Sequence, residues 1–308
     1  MGGRMWGGGG QYAADNGIFA FDMATEKWTF EKGLGAVPKP KSYASLVAHY
    51  TGIYYFAGGT HWRNHQPPSL HHYDPTSHRW TELDGPESHL PSKHHVGTIE
   101  GSGVTAVGPY LFAFGGWVDG SAESDFLYCF DTRSRRWSVP EILNHTVHIV
   151  DEEYSNPYIE EGSPEAWAGG RIVMRKDVPT PRSAHGFHYC SIGDHLLLFC
   201  GEKTRSPSGR TGHGTYHSDV WALEIVEMDT TVHETPFQPT LEKDFDSLFL
   251  SDPVKVMWKP IYITRDCDPI KPCAWFGSAA WEHGGGIALF GGWDGVHTFD
   301  EVWTLTKV

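Results

Sequence analysis

The stretches FDMATEKW (21–28), YDPTSHRW (73–80) and FDTRSRRW (130–137) are one pattern written three times. In each, an aromatic residue precedes Asp, a Ser or Thr stands three places after the Asp, and Lys or Arg precedes Trp. A single hairpin gains nothing from such repetition. A chain that repeats one turn at a near-constant interval builds one supersecondary unit several times and stacks the copies, because no copy buries its apolar surface alone. Trp28, Trp80 and Trp137 lie 52 and 57 residues apart, which sets the size of the unit. Within it, Asp22, Asp74 and Asp131 are assigned to the turn, where a carboxylate accepts a backbone N–H two residues on. The Trp residues are assigned to the space between neighbouring units, since an indole buries a large area. Both roles are structural.

The order of events around the turn is also repeated. PKPKSYASLVAHY opens a first strand, IYYFAGG (53–59) is an apolar second strand ending in paired glycines, SLHHYD is a third, and a fourth begins at Trp80. KHHVGTIEG, YLFAFGG, FLYCFD and RRW follow the same order over 93–137. So do PRSAHGFHYCSIGDHLLLFCGE (181–202), SDVWALEI and VMWKPIYI, and a last copy runs FGSAAW, GIALFGGWDG and EVWTLT. With 36 Gly, 20 Pro and 13 Trp, the composition favours strands and turns over helix interiors.

The double glycine after an apolar run, the aromatic before the turn and the spaced Trp together resemble kelch repeats, which are units of about fifty residues. The resemblance implies an all-β, kelch-type β-propeller of four-stranded antiparallel blades around an axis. About five blade units are expected in one domain spanning 1–308, with both terminal blades incomplete and two long insertions, at about 141–178 and 228–254. Incompleteness at both ends is expected of a fragment or truncated form of a larger ring. The second insertion contains LEKDFDSLFL, whose Leu241, Phe245, Leu248 and Phe249 have the spacing of a short helix.

A net charge of -14 disfavours a nucleic-acid partner, which needs clustered Lys and Arg to neutralise phosphates. No stretch has the length of an apolar membrane span, and MGGRMWGGGG lacks the apolar centre of a secretory signal, so the expected compartment is the cytoplasm or nucleus. Five sparse cysteines agree with a reducing compartment. Histidines cluster between His61 and His95, but His71 and His72 are adjacent on a strand and face opposite sides. No cofactor and no metal site is expected. Enzymes resembling galactose oxidase or the iron-dependent specifier proteins share the kelch propeller, but no Glu-x-x-x-Asp-x-x-x-His motif is present.

The expected function is therefore non-enzymatic: a scaffold binding a protein partner on the loop face of the propeller. In an up-and-down blade, the loop before the first strand and the loop after the second lie at the same end. That end is expected to gather Lys41, Tyr43, His94, Arg182 and Ser183 from the first set of loops. From the second come His61, Trp62, Arg63, Trp117, Asp119, Lys203, Arg205, Trp293, Asp294 and His297. Arg and Trp on a concave rim have the composition of an interface hot spot, and its cations favour an acidic peptide. A metal-dependent oxidoreductase or lyase is the alternative, and carbohydrate binding through Trp62, Trp117 and Trp293 a third.

Overall fold

In a computed structural model, residues 17–59, 67–94, 96–119, 122–144, 148–150, 172–174, 178–191, 193–204, 214–228, 254–262, 270–281 and 286–306 are described. They form antiparallel sheets in five successive units. Unit one is the hairpin β1 (Ile18–Asp22) and β2 (Lys27–Glu31). Unit two holds β3 (Ser45–His49), β4 (Gly52–Phe56), β5 (Leu70–Asp74) and β6 (Arg79–Leu83). Unit three holds β7 (Gly103–Val107), β8 (Tyr110–Phe114), β9 (Leu127–Asp131) and β10 (Arg136–Ser138). Unit four holds β11 (Gly186–Cys190), β12 (His195–Phe199), β13 (Val220–Glu227) and β14 (Lys255–Ile261). Unit five has β15 (Gly277–Trp281), β16 (Gly286–Phe290) and β17 (Val302–Thr306). First strands of successive units pack on one another, β3 on β7, β7 on β11 and β11 on β15, so each unit points its first strand at a shared axis. The described residues form an all-β propeller of five units, with two strands in the first and three in the last.

Strands sandwiched between two units are apolar on both faces, as the period of two requires. In β8, Tyr110, Phe112 and Phe114 enter the core shared with unit four, while Leu111 and Ala113 enter the core shared with unit two. In β12, Leu196 and Leu198 face unit three, and Leu197 and Phe199 face unit five. The fourth-strand Trp residues fill the seams: Trp137 lies 5.2 Å from Phe56, and Trp258 lies 5.3 Å from Phe114, ring centre to ring centre.

The repeated Asp closes the hairpin between third and fourth strands. Asp22 accepts the N–H groups of Ala24 and Thr25, Asp74 accepts Thr76 N–H, and Asp131 accepts Arg133 N–H. Glu26, His78 and Arg135, the last turn residues, take positive φ, which lets the fourth strand start in register.

The end of the second strand carries the strictest backbone requirement. Two consecutive residues there have positive φ: Ala57 and Gly58, Gly115 and Gly116, Cys200 and Gly201, Gly291 and Gly292. The first position accepts Ala or Cys. The second is glycine in all four pairs, and in units two to four a side chain there has no room: a Cβ on Gly58, Gly116 or Gly201 would come within 2.8, 2.5 and 2.6 Å of Ala44, Ile99 and His185. In unit two the equivalent pair is thus Ala57-Gly58, one residue earlier than the sequence-level pair Gly58-Gly59. In unit three the first strand is Gly103–Val107, beyond the KHHVGTIEG segment that the repeat order assigned to it. Around that segment lie the turn Ser92–His94 and the short strand Ile99–Glu100.

The outer edges hold two additions that the sequence pattern lacks. Leu34–Gly35 pairs in parallel with β6, and Glu141–Ile142 with β14, so the exposed edges of units two and four are covered. The first insertion therefore begins as sheet: Glu141 and Leu143 donate to Val254 and Val256, and Asn144 bonds both backbone groups of Trp258. Most of both insertions, including 241–249, lies outside the described residues. No helix among the described residues is long and apolar enough to cross a membrane.

Replacing Gly116 by Ala is expected to cost about 2 kcal/mol or more, from a left-handed φ and a close contact together. Asp131→Ala should cost about 1 kcal/mol for lost turn hydrogen bonds. Urea denaturation of both variants beside the parent checks the order; Gly116→Ala as stable as Asp131→Ala would contradict it.

Candidate functional site

At the axis, the turns leading into the first strands of units two to five form a belt. Gly101 N–H donates to Tyr43 C=O at 2.9 Å, Ala184 N–H to Gly101 C=O at 2.8 Å, and Trp275 N–H to Ala184 C=O at 3.2 Å. The belt closes through side chains, because the rings of Tyr43 and Trp275 meet edge to face at 5.2 Å. All four residues have positive φ. Gly101 takes this conformation freely, and Ala184 with modest strain. For a tyrosine and a tryptophan it is a genuine outlier. A depression lined by Tyr43, Glu100, Gly101, Trp117, Ser183, Ala184 and Trp275 opens at this point.

The residue after each left-handed pair reaches back to the belt. Ser42 pairs with Gly59, Glu100 with Trp117, Ser183 with Glu202 and Ala274 with Trp293, all through backbone bonds. Loops before the first strand and after the second thus share one end of the molecule. Tyr43, Trp117 and Ser183 line the depression itself, with Trp117 and Ser183 buried. Asp119 and Lys203 are exposed on units three and four. Trp293, Asp294 and His297 stand on the unit-five loop, where Asp294 is a turn residue: it accepts N–H from Val296 and His297, which holds its carboxyl below the usual range. His94 does not line the depression, and its carbonyl accepts the Tyr128 hydroxyl. His61, Trp62, Arg63 and Arg205 lie outside the described residues.

Two cations assigned to the rim are inside the protein. Arg182 is 0% exposed: its guanidinium grips both oxygens of Asp219 at 2.7 and 2.9 Å and donates to Cys200 C=O at 3.0 Å. Lys41 occupies the same place in unit two and donates to Ser69 at 3.0 Å. Ser69 and Asp219 each precede a third strand, so both cations tie the axial turn to the third strand of their own unit. Unit three fills this place with buried Ile99. A planar guanidinium suits a carboxylate bidentately, and breaking such a buried pair leaves an uncompensated charge. Sequence reasoning missed Trp275 and Glu100. The one signal available was positional, since Trp275 occupies in unit five the place of Tyr43 in unit two.

Around Arg182 the histidines are held neutral. Burial and then the Arg182 charge depress His185 well below 6.5, and Gly103 N–H donates to its Nε2. Burial and Arg182 bring His217 to about 4, and burial alone brings His188 to about 4. Burial raises the Asp219 carboxyl, but the Arg182 hydrogen bonds and charge outweigh it and leave it below the usual value. Among the described residues no three His, Cys, Asp or Glu side chains converge as a metal site would require.

Comparison with known proteins agrees with this geometry. A kelch motif model matches residues 100–141, the axial turn of unit three through its fourth strand. The chain carries a kelch motif there. Kelch domain-containing protein 3 of Bos taurus is 24% identical over 259 residues, covering 72% of this chain and 64% of that protein. The Homo sapiens protein of the same name is 25% identical with the same coverage. The chain thus spans under two thirds of these kelch relatives. N-(sulfonatooxy)prop-2-enimidothioate sulfolyase of Thlaspi arvense is 24% identical, over 68% of this chain and 69% of that protein. The solved structure of YjhT superposes with a TM-score of 0.56 at 11% identity, over 99% of this chain and 77% of that one.

The neutral histidines make the kelch core acid-sensitive. A histidine whose folded pKa lies below its unfolded value contributes stability above about 6.5, and that stability is lost as pH falls toward about 4. Each of His188 and His217 should account for about 2 kcal/mol of lost unfolding free energy between pH 7.5 and pH 5. His188→Gln can keep the bond to Ser278 and should flatten the profile by that amount in urea titrations at the two pH values. An unchanged profile would contradict it.

Proposed function

We propose that this kelch chain is a non-enzymatic binding module that takes a segment of a protein partner into the axial depression. The observation that carries this reading is the backbone of Tyr43 and Trp275. Two large aromatics occupy left-handed positions where the sister turns use Gly101 and Ala184, so folding alone does not ask for them. Strain of this kind persists where function requires it. Trp275 remains 37% exposed, and aromatics of this sort make interface anchors.

The partner segment follows from charge. With Lys41 and Arg182 buried, the support for an acidic peptide is reduced to Lys203 and to residues outside the described set. The depression itself is bordered by Glu100 and by the indole and phenol faces of Trp117, Trp275 and Tyr43. A lysine or arginine side chain suits that lining through cation–π contact and the carboxylate, and the -14 net charge would steer a basic segment toward it. Carbohydrate binding has less support, because Trp117 is buried and Trp62 lies outside the described residues.

A metal-dependent lyase is the second reading, and the likeness to the sulfolyase favours it. The described residues do not assemble a ligand set for its metal, and no step is derived through one. Purified protein is expected to hold less than about one tenth of an equivalent of iron, copper or zinc. Stoichiometric metal lost on changing His61 and His65 to Ala would favour the lyase.

The binding reading is tested by selection from a displayed random peptide library on the parent, Tyr43→Gly and Trp275→Gly. Enriched peptides should be basic and should bind the variants about 30-fold more weakly, the effect of losing a hot spot. Unfolding free energy should stay within about 1 kcal/mol of the parent, because relief of left-handed strain offsets the entropy of glycine. Acidic peptides, or equal binding by the variants, would overturn this reading.

A further inference from the structure

The axial depression is selective in what it can accept. Its volume is about 200 Å³, part of it open to solvent, below the roughly 300–1,000 Å³ of small-molecule sites. That space suits one side-chain head. Two of its walls meet at an angle: the Tyr43 and Trp275 rings are inclined at 68°, with centres 5.2 Å apart. A third wall is Trp117, which is buried and so held in place. Trp117 is the direct antiparallel partner of Glu100, and residues so paired project from the same face of a ladder. The Glu100 carboxylate lies over Gly59, where a Cβ would collide with its Oε1.

Hydrogen-bond acceptors are scarce around these rings. The carbonyls of Tyr43, Gly101 and Ala184 accept the belt amides of Gly101, Ala184 and Trp275, and Ser183 C=O accepts Glu202 N–H. The acceptors left to a ligand are chiefly the Glu100 carboxylate and the Ser183 hydroxyl. A carboxylate has about four acceptor sites, so Glu100 can take a ligand N–H beside any bond it makes within the protein. An unmodified lysine head is a compact, strongly hydrated cation with three N–H donors, and a guanidinium has five. Either would leave donors unpaired against aromatic faces after losing their water. Methylation removes that mismatch. Each methyl replaces one N–H, the charge stays, and the methyl groups bring it onto ring faces, which is how aromatic cages hold methylated ammonium ligands.

We infer that the basic side chain taken by the depression is a methylated lysine of a protein segment, with the dimethyl form preferred. The inference rests on the binding reading above and specifies its ligand. Dimethyl-lysine keeps one N–H for Glu100 and sets two methyl groups against Tyr43, Trp117 and Trp275. The trimethyl form has no N–H to give the carboxylate. The monomethyl and unmodified forms bring two and three N–H groups that must be stripped of water.

The test titrates the whole chain with N-acetyl-lysine methylamide bearing no, one, two or three Nε-methyl groups, and with choline as a free ammonium. The indole N–H signals of Trp117 and Trp275, assigned with Trp117→Phe and Trp275→Phe, report binding by NMR. The dimethyl probe should shift both signals and bind about 10-fold more tightly than the unmethylated one. Glu100→Gln should weaken the dimethyl probe about 10-fold and the trimethyl probe less, and Trp275→Gly should weaken both. Equal binding by all four lysine probes, or tightest binding by the unmethylated one, would overturn the methyl-lysine inference and leave the basic-segment reading standing. A trimethyl probe that binds tightest would overturn the dimethyl preference. Choline binding as tightly as the dimethyl probe would overturn a protein segment as the source. If no lysine probe moves the indoles, the inference fails; basic library peptides that still bind then keep the wider reading, and their absence sinks both.

Discussion

Every seam from unit two to unit five depends on one backbone amide. The second residue of each left-handed pair turns its N–H out of its own sheet and into the next unit: Gly58 to Ile99 C=O at 2.9 Å, Gly116 to Arg182 C=O and Gly201 to Cys273 C=O at 2.8 Å. That direction requires positive φ, and the crowding beside it excludes a Cβ. The glycine is therefore fixed twice, by conformation and by space. These bonds set the stagger between units, and with the stagger set, Trp137 and Trp258 meet the sockets made by Phe56 and Phe114. The belt of Gly101, Ala184 and Trp275 amides lies two residues beyond the same carbonyls, so the axial depression inherits its geometry from the seams.

The electrostatics follow from this packing. A carbonyl that accepts at a seam belongs to the residue whose side chain turns inward, and in unit four that residue is Arg182. Once inside, the guanidinium needs Asp219, and its charge together with burial keeps His185 and His217 neutral. A cation that reads as part of a binding rim is then part of the core, and the mouth is left to Tyr43, Trp117, Trp275 and Glu100. The binding proposal rests on aromatic faces and a carboxylate for this reason.

Much of the fold was legible because its determinants are local. The Asp turns involve residues two or three apart, and the apolar second strands announce themselves by composition. The pair at 57–58 was displaced by one residue because Ala57 tolerates the left-handed position that glycine usually fills, so counting glycines misplaces it. The parallel edge strands at Leu34–Gly35 and Glu141–Ile142 have two residues each and no pattern to find. Lys41 and Arg182 were misplaced because an inward tie and a rim cation have the same spelling; what separates them is Ser69 and Asp219, 28 and 37 residues away. Trp275 hides in CAWF, which reads as the apolar start of a strand, and only alignment with Tyr43 brings it to the axis.

The seam amides are the most direct point of attack. Amide hydrogen exchange followed by NMR on the native chain reads Gly58, Gly116 and Gly201 individually. If these bonds hold the units together, the three amides should exchange as slowly as amides inside β8 and β12, in the slowest class, although their residues lie in loops. Exchange at the rate of the exposed turn amide of Met23 would contradict the claim that the left-handed glycines hold the seams.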